Sequence, residues 1–192
     1  MKAEHDVVET LGGLRVHTHY YSSPAPQGTV ILVNGSLATT AAFAQTVRYL
    51  QPHFNVVLFD EPYAGQSKQY NSNRRPITKE QEASILLELI ERYRADHLMS
   101  FSWGGASALL ALAQRPARIR KAVILAFSPL INSAMRDYLE RASTCWSTAS
   151  ARPWASCSTA PLASTCRRWS SASTFGISSA WTSTSTTRWP FM

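Results

Sequence analysis

The stretch HLMSFSWGG at 97–105 constrains the fold of this chain more than any other. An apolar run that reads as a strand meets a serine set among small residues, and a helical pattern opens at Gly104. This is the arrangement G-x-S-x-G, with Ser100 standing where the first glycine usually is, and its physical content is a sharp strand-to-helix turn. Such a turn lifts the Ser102 hydroxyl clear of a sheet. It also aims the Trp103 N–H and the start of the helix at any oxyanion formed beside it. Small neighbours are needed because strand and helix pass close together. A tight turn with no chemistry would use the same residue types. The strand before the serine and ASALLALAQR after it are the context that favours a nucleophile.

The rest of the first 142 residues supplies a sheet for that turn. LRVHTHYY (14–21) alternates as a strand with one wet face, and TVILVNG (29–35) is a continuous apolar run ending in a turn. A helix is expected over 41–51, with Phe43, Val47 and Leu50 on one face. NVVLFD (55–60) reads as a second buried strand, followed by a polar loop, EPYAGQSKQYNSNRRP. Thr78 opens T-K-E-Q, a capping box, ahead of a helix carrying Ile85, Leu86, Leu89 and Ile90 at three- and four-residue spacing. Pro116 closes the helix that follows the serine. IRKAVILAFS (119–128) reads as another buried strand, and Asn132 is placed to cap a helix through MRDYLERA. Buried strands alternating with helices give an α/β class with a mostly parallel sheet and flanking helices, truncated after about five strands.

Near Ser143 the chain changes character. Residues 1–142 hold all 12 Asp+Glu and 15 of the 19 Lys+Arg, a net of +3, whereas residues 143–192 have no Asp, Glu or Lys and 4 Arg. The later segment also holds 13 Ser, 9 Thr, all 3 Cys and 5 of the 6 Trp, so its composition and not a basic face sets the overall +7. With no basic helix or nucleic-acid motif, no nucleic-acid partner is expected. Cys145, Cys157 and Cys166 lack metal-ligand spacing, and an odd number closes no disulfide framework. The opening MKAEHDVVET is polar, and no apolar run approaches the roughly 20 residues that span a bilayer. A soluble cytoplasmic domain without a membrane partner is expected.

A Ser/Thr-rich disordered tail is one reading of 143–192, but five tryptophans argue against it. Ser, Thr, Ala, Arg, Trp, Cys and Pro are also what GC-rich coding DNA yields out of frame. Codons built from the third base of one codon and the first two of the next restore carboxylates, basic residues and aromatics in ordinary globular proportion. Residues 143–192 are therefore expected to be a frameshift product, disordered or poorly ordered, behind a coherent segment at 1–142.

NGSLATTAAFAQT (34–46), FNVVLFDEPYAGQSK (54–68) and ADHLMSFSWGGASALLALA (95–113) together resemble the (R)-3-hydroxyacyl-ACP:CoA transacylases of polyhydroxyalkanoate synthesis. They are also similar to the related synthase that joins two 3-hydroxyacyl-ACP units into the lipid part of rhamnolipids. Both groups resemble α/β-hydrolases, so residues 1–142 would be the N-terminal part of an α/β-hydrolase core. The out-of-frame string is similar to the family's next segment, including a His-x4-Asp element. The resemblance implies thioester chemistry on 3-hydroxyacyl chains, with acyl carrier protein and CoA thioesters as partners and CoA as acyl acceptor. No bound cofactor and no metal are implied.

Carried over residue by residue, the resemblance makes Ser102 the nucleophile, with the backbone N–H groups of Trp103 and Ser36 as oxyanion donors. The Asp and His of the triad would follow on later strands. No histidine follows His97 in this chain, so neither role has a residue here. A serine without a base is a weak nucleophile, and little turnover is expected of the chain as written. Transfer to a second hydroxyacyl chain or to water is the alternative within the class, and a non-catalytic remnant is the alternative outside it. Asp60 is read as a loop cap more than a base, and His97 as packing at the far end of its strand. His17 and His19 are read as solvated on an edge strand. Lys68, Arg74, Arg75 and Lys79 form a basic loop, and the Leu86–Ile90 stripe is core. Chain-length preference would reside in a cap region after residue 142.

Overall fold

The computed structural model describes residues 3–36, 38–71, 77–137 and 140–141, and the chain divides into two units at Pro129. The expected frameshift segment 143–192, its three cysteines, and Arg74 and Arg75 lie outside the described residues.

The first unit is built on a six-stranded sheet of order β1-β2-β4-β3-β5-β6. The strands are β1 (Glu4–Glu9), β2 (Arg15–Tyr21), β3 (Thr29–Val33), β4 (Asn55–Phe59), β5 (His97–Phe101) and β6 (Lys121–Leu125). β1 and β2 pair antiparallel, as do β2 and β4, and the remaining pairs are parallel. The helices are α1 (Ala44–Leu50), α2 (Lys79–Tyr93) and α3 (Gly104–Ala113). A 3₁₀ turn, Thr40–Phe43, precedes α1, so the helix expected over 41–51 begins tighter than an α-helix.

β3 and β4 read as unbroken apolar runs because both of their faces are covered. Ile31, Val33, Val57 and Phe59 join Val16, Leu98 and the α2 and α3 residues Ala83, Leu86, Leu89, Ile90, Ala108 and Ala111 in one core. Val30, Leu32, Val56 and Leu58 turn the other way and pack with Phe43 and Val47. Each large aliphatic side chain so buried contributes about 1.5–3 kcal/mol. The stripe from Leu86 to Ile90 is core, as its spacing implied. α2 starts where the sequence places it: Gln81 N–H donates to Thr78 Oγ1 at 3.3 Å, and Thr78 N–H donates to Gln81 Oε1 at 2.9 Å.

Three expectations are corrected. The sheet has six strands rather than about five, because EHDVVE pairs with β2 as an outer strand. Charged residues on an outer strand discourage further pairing and erase the apolar signal. β2 is therefore interior to the sheet, and His17 and His19 are half-buried rather than solvated on an edge. β6, expected to be buried, exposes Val123 (49%) and Leu125 (36%).

In the second unit, residues 133–137 and 140–141 are helical. Met135 N–H donates to Asn132 Oδ1 at 2.8 Å, the N-cap bond that the sequence suggests.

Candidate active site

β5 delivers Ser102 to the carboxyl end of the parallel strands, where ligands of open α/β sheets bind. Ser100 sits between Val33 and Ile124 in the ladder, fully buried, and its hydroxyl has no hydrogen-bond partner. Ser100 thus occupies the small-residue position as packing, with its polar atom unused.

Ser102 takes φ +53°, the left-handed region that non-glycine residues avoid at a cost of roughly 1–2 kcal/mol. Neighbouring backbone holds it there. Its N–H donates to Leu125 O at 2.8 Å, and Gly105 N–H donates to its carbonyl at 2.9 Å. Both glycines after it are required by close approach. A Cβ at Gly104 would drive into the Asn34 carbonyl, 2.9 Å from its carbon and nearer still to its oxygen. A Cβ at Gly105 would stand 2.8 Å from Phe127 Cβ.

Trp103 is the N-cap of α3, so its N–H lies at the mouth of the helix, ahead of the intrahelical ladder. On the other side, the turn after β3 comes up against the serine. A Cβ built on Gly35 would lie 3.0 Å from Ser102 Cβ and 3.6 Å from its Oγ. Ser36 is the next residue along that turn and is exposed. Asn34 anchors the turn by donating from Nδ2 to Phe59 O at 3.0 Å. Ser102, Trp103 and the Gly35–Ser36 turn are thus gathered at one point.

Asp60 is spent on loop geometry. Its carboxylate accepts from Thr40 N–H at 2.8 Å and from Gln66 N–H at 2.9 Å, while a Cβ at Gly65 would run into it. The reading of Asp60 as a cap fits these bonds. His97 opens β5 at the end opposite Ser102, edge-on to Phe54 with ring centroids 5.6 Å apart. Among the described residues, no imidazole or carboxylate hydrogen-bonds the Ser102 hydroxyl.

A buried acidic network under the turn was not visible in the sequence. Glu82 on α2 accepts from Lys79 Nζ at 2.6 Å, Ser107 Oγ at 2.9 Å and Tyr63 Oη at 2.9 Å. Glu61 is buried beside it with Oε2 unpartnered. Burial first, then the Glu82 charge, push its carboxyl well above the ordinary carboxylate range. Lys79 Nζ lies 6.0 Å from the centre of the Trp103 ring, so this residue of the expected basic loop belongs to α2 and the network. The one available signal was the Lys79–Glu82 spacing in the first turn of α2.

Comparison with known proteins extends the geometry. The family described as alpha/beta hydrolase fold matches residues 28–149. The chain is 65% identical over 141 residues to a Pseudomonas aeruginosa protein named (R)-3-hydroxydecanoyl-ACP:CoA transacylase, covering 73% of this chain and 47% of that protein. It is 61% identical to a protein of the same name from Pseudomonas putida, covering 73% and 48%. The chain thus spans about half the length of the curated relatives it matches. Among solved structures, a hydrolase from Pseudomonas aeruginosa aligns with a TM-score of 0.63 at 19% identity, covering 86% of this chain and 57% of that one. E-2-(acetamidomethylene)succinate hydrolase aligns at 0.61 and 20% identity, covering 73% and 50%. With the strained serine at its strand-to-helix turn and a family match across more than half its length, the chain belongs to the α/β hydrolase fold family.

Proposed function

We propose that this chain carries the nucleophile half of an acyltransferase that moves a 3-hydroxyacyl group from acyl carrier protein to CoA. The supporting observation is Ser102 at φ +53° between β5 and α3, with the Gly35 turn against its side chain. Identity of 61–65% to proteins named as such transacylases supports this substrate class.

Ser102 Oγ attacks the thioester carbonyl of the acyl carrier protein. The Trp103 and Ser36 N–H groups receive the oxygen's developing charge, and the carrier thiol leaves. The CoA thiol then attacks the acyl-enzyme and restores the serine. The proton of Ser102 needs an acceptor, and the triad Asp and His have no residues in this chain to fill them. We therefore read residues 143–192 as out of frame and the chain as written as slow. In support, the likeness to the transacylases is 141 residues long, against 142 before the change in composition. Both thiol carriers belong to intracellular metabolism, which supports a cytoplasmic reaction. Among the described residues no helix is long and apolar enough to cross a membrane.

A non-catalytic remnant is the second reading, favoured by the exposure of Phe101 (49%), Val123 (49%) and Leu109 (40%). Acyl loading separates the two readings. Incubation with 3-hydroxydecanoyl-acyl carrier protein, for the chain as written and for one restored to the alternative frame, is followed by intact-mass spectrometry. The restored chain gains one acyl group at Ser102 and passes it to CoA; the Ser102→Ala form does neither. Transfer to a second hydroxyacyl chain or to water instead of CoA would replace the acceptor in this proposal. Full transfer by Ser102→Ala would end it.

A further inference from the structure

His5, His17 and His19 converge on one face of the β1–β2 ladder. His5 is paired directly across from His19, and His17 lies two residues from His19 on the same side of its strand. The ring centroids are 4.4 Å apart for His5–His19, 4.8 Å for His17–His19 and 5.5 Å for His5–His17. One ring nitrogen of each lies within 4.8 Å of the other two. His17 Nδ1 is buried with no hydrogen-bond partner, a cost that a Lewis acid would remove.

We propose that His5, His17 and His19 bind a divalent transition-metal ion of the zinc class. Imidazole nitrogen suits Zn²⁺, Cu²⁺ and Ni²⁺, and a set without carboxylate or carbonyl oxygen does not suit Ca²⁺ or Mg²⁺. Three histidines with a fourth, water-filled position form a known zinc arrangement. Zn–N bonds of about 2.0–2.1 Å set tetrahedral nitrogens about 3.4 Å apart. Side-chain torsions must therefore close the cluster by roughly an ångström or more, with the paired strands unmoved. His5 is exposed and gives the ion a way in.

The electrostatics agree with this geometry. Burial lowers the proton affinity of His17, against the attraction of Asp60 and Asp6 and reinforced by repulsion from His5. Burial, then His5 and His17, push His19 down to about 4. β2 is three inter-strand steps from β5, roughly 14 Å, so the ion stands apart from Ser102 and clips the outer strand to the sheet.

The test uses the full chain, stripped with a chelator and with its three cysteines alkylated, titrated with Zn²⁺ in a calorimeter. One equivalent binds and raises the melting temperature. His5→Gln and His19→Gln each weaken binding by at least about a hundredfold, since even the loss of an outer-shell partner costs 10–100-fold. His53→Gln, at an exposed histidine outside the cluster, leaves binding unchanged. Co²⁺ gives the visible bands of a tetrahedral site in the parent chain and not in His5→Gln, which removes an exposed ring and leaves the core intact. Absence of stoichiometric binding, or binding that survives both His5→Gln and His19→Gln, overturns the proposal.

Discussion

The Ser107 hydroxyl on α3 donates to Glu82 Oε2 on α2 at 2.9 Å, with both residues buried. The helix that opens at the nucleophile is therefore fastened to its neighbour by a charged acceptor. Ser107→Ala removes one of three donors to that carboxylate and costs about 1–3 kcal/mol, read as a lower urea midpoint. A double-mutant cycle with Glu82→Gln gives a coupling above about 0.5 kcal/mol. Additive losses would show that the bond does not fasten the helices.

Glu61 makes stability depend on pH. Its folded-state affinity for a proton is raised, so the folded chain holds a proton that the unfolded chain has released. That contribution is fully present below the ordinary carboxylate range and is lost as pH rises through the raised value. Glu61→Gln has no proton to release, so it flattens this fall and leaves the chain more stable than the parent at neutral pH. Parallel urea melts at several pH values check it, and unchanged curvature would contradict it.

Ser102→Gly separates strain from chemistry. Glycine relieves a left-handed φ worth about 1–2 kcal/mol and returns about 0.5–1 kcal/mol as unfolded-chain freedom. The variant is more stable than the parent by roughly 0.5–1 kcal/mol in thermal melts, yet takes up no acyl group. Ser102→Val melts lower than the parent, because a β-branched side chain fits that φ worst.

Gly104→Ala places a methyl against the Asn34 carbonyl, which is backbone and cannot swing aside. Forcing α3 away from β3 costs about 1–3 kcal/mol and outweighs the better helix propensity of alanine. A melting temperature equal to the parent's would mean that the strand and helix are not held at this distance.

The legible parts of the fold were those whose signal is local. β3 and β4 show as continuous apolar runs because α1 covers one face while α2 and α3 cover the other. Thr78 and Gln81 announce the start of α2 within four residues. The serine turn was readable because its strain demands small neighbours on either side. β1 was not readable: its charged residues suit an outer strand, and only the pairing of His5 with His19 reveals it. The Glu61–Glu82 network depends on residues brought together by tertiary packing, which no periodicity records. β6 was misread as buried because apolar content reports what a strand is suited to lie against, not what lies there.

Strand β6 leaves Val123 and Leu125 open, alongside Phe101 at the end of β5. Such a surface sticks to its like, and the chain's survival in a cell becomes a race between self-association and capture by chaperones. Its abundance would then follow the supply of folding helpers more closely than any rate at Ser102.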